Sequence, residues 1–99
     1  MIIVAGHIRL DPANREAAIA AASEMMAETA KEAGCVTYVF SASFDEPGLF
    51  HLFEEWESQD HLDAHFAAPH MATFQSAMAG FGVSERSINK YSAADKAPL

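Results

Sequence analysis

The strongest constraint on this chain is the order in which its hydrophobic period changes. Ile2 to Leu10 is a β-branched, aliphatic run closed by Asp11-Pro12, the pattern of a strand followed by a helix start. From there to Ala33 the sequence is dense in Ala, Glu and Met, all strong helix formers. Ala18, Ala22, Met25, Thr29 and Ala33 recur at helical spacing, and Gly34 is a natural stop. Cys35 to Phe44 alternates around Val36, Tyr38, Phe40 and Phe44, and Asp45-Glu46-Pro47-Gly48 is a turn. Leu49 to Trp56 then completes a hairpin. Ser58 or Asp60 can cap a second helical region, which Pro69 breaks or restarts. Met71, Phe74, Met78 and Phe81 continue it, Gly80 and Gly82 end it, and Val83 to Tyr91 reads as the last strand. The order strand, helix, strand, strand, helix, strand predicts an α+β, ferredoxin-like βαββαβ unit: a four-stranded antiparallel sheet with two helices on one face. Residues 1–92 are expected to form a single domain, and 93–99 a polar C-terminal tail.

Two strands are apolar on both parities. Strand 1 sets Ile2, Val4, Ile8 and Leu10 against Ile3 and Ala5; strand 3 sets Phe50, Leu52 and Trp56 against Leu49 and Phe53. A sheet with one face in water should alternate cleanly, so the bare face is expected to be covered by a second copy, giving a homodimer. The 99 residues, 51% hydrophobic and 20% charged, suit one globular core. A formal charge of −8 repels phosphate backbones and anionic lipid, so neither nucleic acid nor a membrane surface is an expected partner. Cys35 is the sole cysteine, which excludes an intrachain disulfide and any multi-cysteine metal site. The run from Met1 to Arg9 is too short, and lacks the basic start, for a signal peptide; no stretch approaches a membrane span. A cytoplasmic location is the expectation.

Three of the five histidines, His61, His65 and His70, fall within ten residues, just after the only tryptophan, Trp56. Histidine exchanges protons near neutral pH, so one of them beside an aromatic pocket would suit acid–base work. The plainer alternative is that His61 and His65 lie on a helix surface and His70 caps a turn. His61 and His65 have the four-residue spacing of a shared metal, but the sequence His-Leu-Asp-Ala-His lacks the Glu of a zinc protease, and no dedicated metal site is expected. Glu54 and Glu55 are adjacent on a strand and point to opposite faces, so at most one can meet a pocket. No Gly-x-Ser-x-Gly elbow, phosphate loop or dinucleotide fingerprint is present. Cys35 reads as a small buried hydrophobe rather than a nucleophile. The stripe of Met71, Phe74 and Met78 is core first, but would line any cavity between helix and sheet.

Glu54-Glu55-Trp56-Glu57-Ser58, His61-Leu62-Asp63-Ala64-His65 and Pro69-His70-Met71 together resemble the signature of the antibiotic biosynthesis monooxygenase domain family. Glu32-Ala33-Gly34-Cys35-Val36-Thr37-Tyr38 resembles its helix-to-strand junction. The resemblance implies a dimeric α+β barrel. It further implies a monooxygenase that oxidises a quinol or a phenolic, polyketide-type molecule with O2 and no cofactor. It places Trp56 and His65 at catalytic positions, with His65 as proton acceptor. Tyr38, His51, Phe53 and Phe74 are expected to line the substrate pocket from their strand and helix placement, with Met71. The haem-degrading branch is a rival, but its Asn–Trp–His triad falls near His7, His65 and Gln75 here, which argues against it. A non-enzymatic small-ligand or stress protein on the same scaffold is the alternative from another class.

Overall fold

The computed structural model describes residues 1–92 and 94–99, so the expected domain boundary, at residue 93, lies outside the described residues. Four strands, β1 (Ile2–Arg9), β2 (Cys35–Ala42), β3 (Leu49–Trp56) and β4 (Glu85–Tyr91), form one antiparallel sheet in the order β2-β3-β1-β4. Three helices pack on one face: α1 (Arg15–Thr29), α2 (Gln59–Phe66) and α3 (Pro69–Met78). The ferredoxin-like α+β unit is therefore the observed fold, with the second helical region in two pieces.

Proline explains that division. Ala68 is extended, at φ −70° and ψ 143°, because the ring of Pro69 disfavours helical backbone before it. Pro69 then opens α3, where its missing N–H costs nothing. At the start of α1, Asp11 caps as expected, its carboxylate accepting from the Ala13 N–H at 3.0 Å. The turn it caps is a short 3₁₀ segment, Pro12–Asn14, and the α-helix begins only at Arg15. That helix stops at Thr29 rather than Ala33. Lys31 and Glu32 bond back three residues, to the carbonyls of Glu28 and Thr29, and Ala33 is exposed. β2 ends at Ala42, leaving Phe44 fully exposed in the turn instead of in the sheet.

Gly34 makes the sharp turn into β2 with φ 79°. A Cβ there would also collide with the His61 imidazole. Gly34→Ala should therefore cost more than the ~1–2 kcal/mol of a left-handed non-glycine residue, lowering the melting temperature by about 10 °C. A calorimetric scan showing no shift would contradict this account of the turn.

The core lies between the sheet and the helices. Ile2, Val4, Met25, Tyr38, Leu52, Trp56 and Leu62 form one cluster, and Ile8, Leu10, Ala18 and Phe50 a second. The buried face of α1 is Ala18, Ala22, Met25 and Thr29, the stripe that its helical spacing predicts. No helix among the described residues is long and apolar enough to cross a membrane.

Candidate active site

Strand parity decides which side chains meet the helices. Along β3, Phe50, Leu52, Glu54 and Trp56 share the helix side, while Leu49, His51, Phe53 and Glu55 face away. Glu54 thus stands in an otherwise apolar row, opposite Val4 of β1 and Tyr38 of β2. Only 5% of it is exposed, and its Oε1 accepts a hydrogen bond from Trp56 Nε1 at 2.8 Å. Burial pushes its carboxyl up to about 7; the Trp56 bond opposes the shift and the charge of Glu32 adds to it. Glu55, one residue on, shows the reverse. Thr37 Oγ1 donates to it at 2.6 Å and Lys96 Nζ lies 3.4 Å away, holding it below the usual carboxylate range.

Glu54 opens onto a cavity of about 400 Å³ between the sheet and α3. Tyr38 and Phe40 of β2, Leu52 of β3, Val4 and Ile8 of β1, and Met71, Phe74 and Met78 of α3 line it, with Phe66, Gln75, Arg86 and Ile88 at its margins. Phe40 and Phe74 are in ring contact, at 5.3 Å between centroids. Burial and the neighbouring carboxylates of Glu54 and Glu32 hold the Tyr38 phenol well above its ordinary range, so it stays protonated. Glu54 and Arg86 pair with Val4 and Ile8 of β1 respectively, which separates them by about 13 Å along the strand direction.

The sequence-predicted residues divide around this cavity. Tyr38, Met71 and Phe74 line it. His51 and Phe53 do not: both side chains point to the opposite face of the sheet, because they alternate with Leu52 and Glu54. Trp56 and His65 stand behind the wall rather than in it. The His65 ring is 1% exposed and lies against Trp56 at 4.8 Å, Tyr38 at 5.3 Å and Phe66 at 5.8 Å. Its Nδ1 donates to Glu32 Oε2 at 2.7 Å, and His70 Nε2 donates to the same oxygen at 2.9 Å. His65 Nε2 is buried without a partner. His61 is separate: its Nδ1 lies 2.7 Å from the Ser58 hydroxyl at the start of α2, so the two histidines turn to different partners. Burial, then Glu32 and Glu54, raise the Cys35 thiol, which packs against the core as an inert hydrophobe.

Two features escaped sequence reasoning. Glu54 shares its parity with Phe50, Leu52 and Trp56, but Leu49 and Phe53 make the other parity apolar too, so the strand alone did not mark it. The meeting of Glu32 with His65 and His70, 33 and 38 residues away, left no local signal.

Comparison with known proteins agrees with this architecture. The profile of the antibiotic biosynthesis monooxygenase family matches residues 1–77. The "probable quinol monooxygenase" YgiN of Escherichia coli (strain K12) is 31% identical over 90 residues, covering 81% of this chain and 86% of its own. An uncharacterised Synechocystis protein, sll1783, is 34% identical over 73 residues, 74% of this chain; the match spans only 50% of that relative's length. A structure from Bacteroides thetaiotaomicron, described as a protein of unknown function and possible oxidoreductase, superposes with a TM-score of 0.82 at 30% identity, covering 91% and 94% of the two chains. A Deinococcus radiodurans structure described as a candidate antibiotic biosynthesis monooxygenase reaches 0.90 at 22% identity, covering 100% and 98%, and shares the fold.

Proposed function

This chain belongs to the antibiotic biosynthesis monooxygenase family, and on that premise we propose that it oxidises a quinol or related electron-rich phenol with O2, in the cavity between the sheet and α3, without a bound cofactor. The observation that carries this reading is a buried carboxyl, pushed up to about 7, on the wall of an aromatic and methionine-lined cavity. A base with that affinity takes and returns a proton near neutral pH. The family likeness and the name of the Escherichia coli relative supply the substrate class.

The chemistry balances without an outside reductant. Glu54 takes the phenolic proton, and the phenolate gives one electron to O2, leaving a phenoxyl radical and superoxide. Their recombination at a ring carbon forms a C–O bond, and the peroxide recovers the proton from Glu54. Loss of water leaves a carbonyl: quinol plus O2 becomes hydroxyquinone plus water. Trp56 Nε1 orients the Glu54 carboxylate, and Tyr38, kept neutral, is available only as a hydroxyl donor or acceptor. Arg86, at the margin of the cavity about 13 Å from Glu54 along the strand direction, favours substrates with an acidic or strongly polar group at the far end. His65, the proton acceptor expected from the family motif, takes the part of packing support for Trp56 in this reading, since it lies outside the cavity wall.

Oxygen uptake by metal-stripped protein with a panel of bicyclic and tricyclic quinols tests the reading. Saturable uptake above the rate without protein is the expected result. Tight binding of the quinol with no uptake would make the protein a small-ligand binder instead. A haem-degrading activity would show as a Soret band that decays under reductant.

The second copy belongs to the same reading. The outer sheet face presents Val39 (40% exposed), Phe53 (41%) and Tyr91 (53%), beside Ile3 and Ala5 of the central strand. Such a face is an association surface. Light scattering should give roughly twice the 10.7 kDa chain mass. Phe53→Glu, which places a charge at its centre, should return the chain to a monomer; a wild-type monomer at micromolar concentration would refute the dimer.

A further inference from the structure

We propose that Glu32, His65 and His70 form a binding site for a divalent transition ion of the Zn²⁺ class, one that staples the turn between α1 and β2 to the joint between α2 and α3. Their ligand atoms, one from each residue, all lie within 4.8 Å of one another. Glu32 Oε2 is 2.7 Å from His65 Nδ1 and 2.9 Å from His70 Nε2. Two ligands about 2.0–2.2 Å from one tetrahedral ion stand about 3.4 Å apart, so these contacts must open by about half an ångström to admit it. The three ligand atoms are already gathered to that scale by the fold. Two imidazoles and one carboxylate suit borderline divalent ions and disfavour Ca²⁺ and Mg²⁺, which take oxygen.

Each ligand is anchored independently. The Glu32 backbone is held by its N–H to the Thr29 carbonyl at 3.0 Å and by the Cys35 N–H to its own carbonyl at 3.3 Å. The His65 ring is clamped between Trp56 and Tyr38. His70 sits in the first turn of α3, fixed by Pro69. An ion can enter, because the Glu32 and His70 side chains keep 16% and 21% of their surface open. His70 also lines a cleft of about 110 Å³ between α1 and α3, with Glu24 on its wall. The chain's charge of −8 raises the local cation concentration. The site lies behind the cavity wall, so it is structural to the chemistry proposed above and none of its tests reads quinol oxidation.

Tag-free, chelator-stripped protein titrated with Co²⁺ should develop a visible ligand-field band that saturates at one equivalent and is bleached by Zn²⁺. Zn²⁺ at about a hundredfold excess over its Kd should raise the melting temperature by roughly 10 °C. Glu32→Gln and His70→Ala, both at partly open positions, should each weaken Co²⁺ binding about a hundredfold, while His61→Ala keeps it. Co²⁺ should also broaden the His65 and His70 ring signals of the wild-type protein first, which reports on the site even if a variant misfolds. Absence of the band and of the thermal shift would overturn the proposal in favour of a hydrogen-bonded triad only. Binding that survives both variants, or broadening confined to other histidines, would overturn it equally.

Discussion

Glu54→Gln should lower turnover of the proposed quinol oxidation by roughly a hundredfold or more, with little change in KM. The amide fills the same space and can still accept from Trp56 Nε1, so substrate packing against Tyr38 and Phe74 is preserved while the proton acceptor is lost. In the wild type the rate should rise with pH through about 7, as the carboxyl ionises, and this limb should be missing from the residual activity of the variant. Stability moves the other way. Burial raises the folded-state value above the ordinary 4.5, so the folded protein holds the proton more tightly than the unfolded chain. The associated stability is complete below pH 4.5 and is lost as pH rises through about 7. The loss amounts to about 3 kcal/mol across that window. Urea unfolding at pH 5, 6, 7 and 8 should show this slope in the wild type and a nearly flat line in Glu54→Gln. A variant with wild-type turnover and the wild-type limb would remove Glu54 from the mechanism.

His65→Gln should act on stability first. The ring fills a site walled by Trp56, Tyr38 and Phe66, and it donates to Glu32 from a position closed to solvent. Losing a buried hydrogen bond to a charged partner costs about 2–3 kcal/mol, or roughly 10–20 °C in melting temperature for a domain of this size. Activity should fall in proportion to the folded fraction and recover on cooling, with the pH limb of Glu54 unchanged. A hundredfold loss of turnover in a variant with wild-type melting behaviour would instead return His65 to the role of proton acceptor. Together the two substitutions separate the group that handles the proton from the group that holds its neighbour in place.

The sequence on its own determined the element order, the turn at Gly34, the break at Pro69 and the buried stripe of α1. These follow from short-range causes: side-chain period, left-handed glycine backbone and the steric demand of a proline ring. Parity also told that Glu54 and Glu55 part company, but not which of them turns inward. Only pairing with β1 and β2 decided that, by placing Glu54 between Val4 and Tyr38 and sending His51 and Phe53 to the far face with Glu55. The sheet buries one parity under helices, where Glu54 has only the Trp56 bond to offset desolvation; Glu55, also little exposed, is held down by Thr37 and Lys96. The same holds for the histidines. His61 and His65 are neighbours in the sequence, yet Ser58 takes one and Glu32 the other. What brings Glu32 to His65 and His70 is the return of α2 and α3 across the end of α1, a contact set by packing between distant segments that no local pattern encodes.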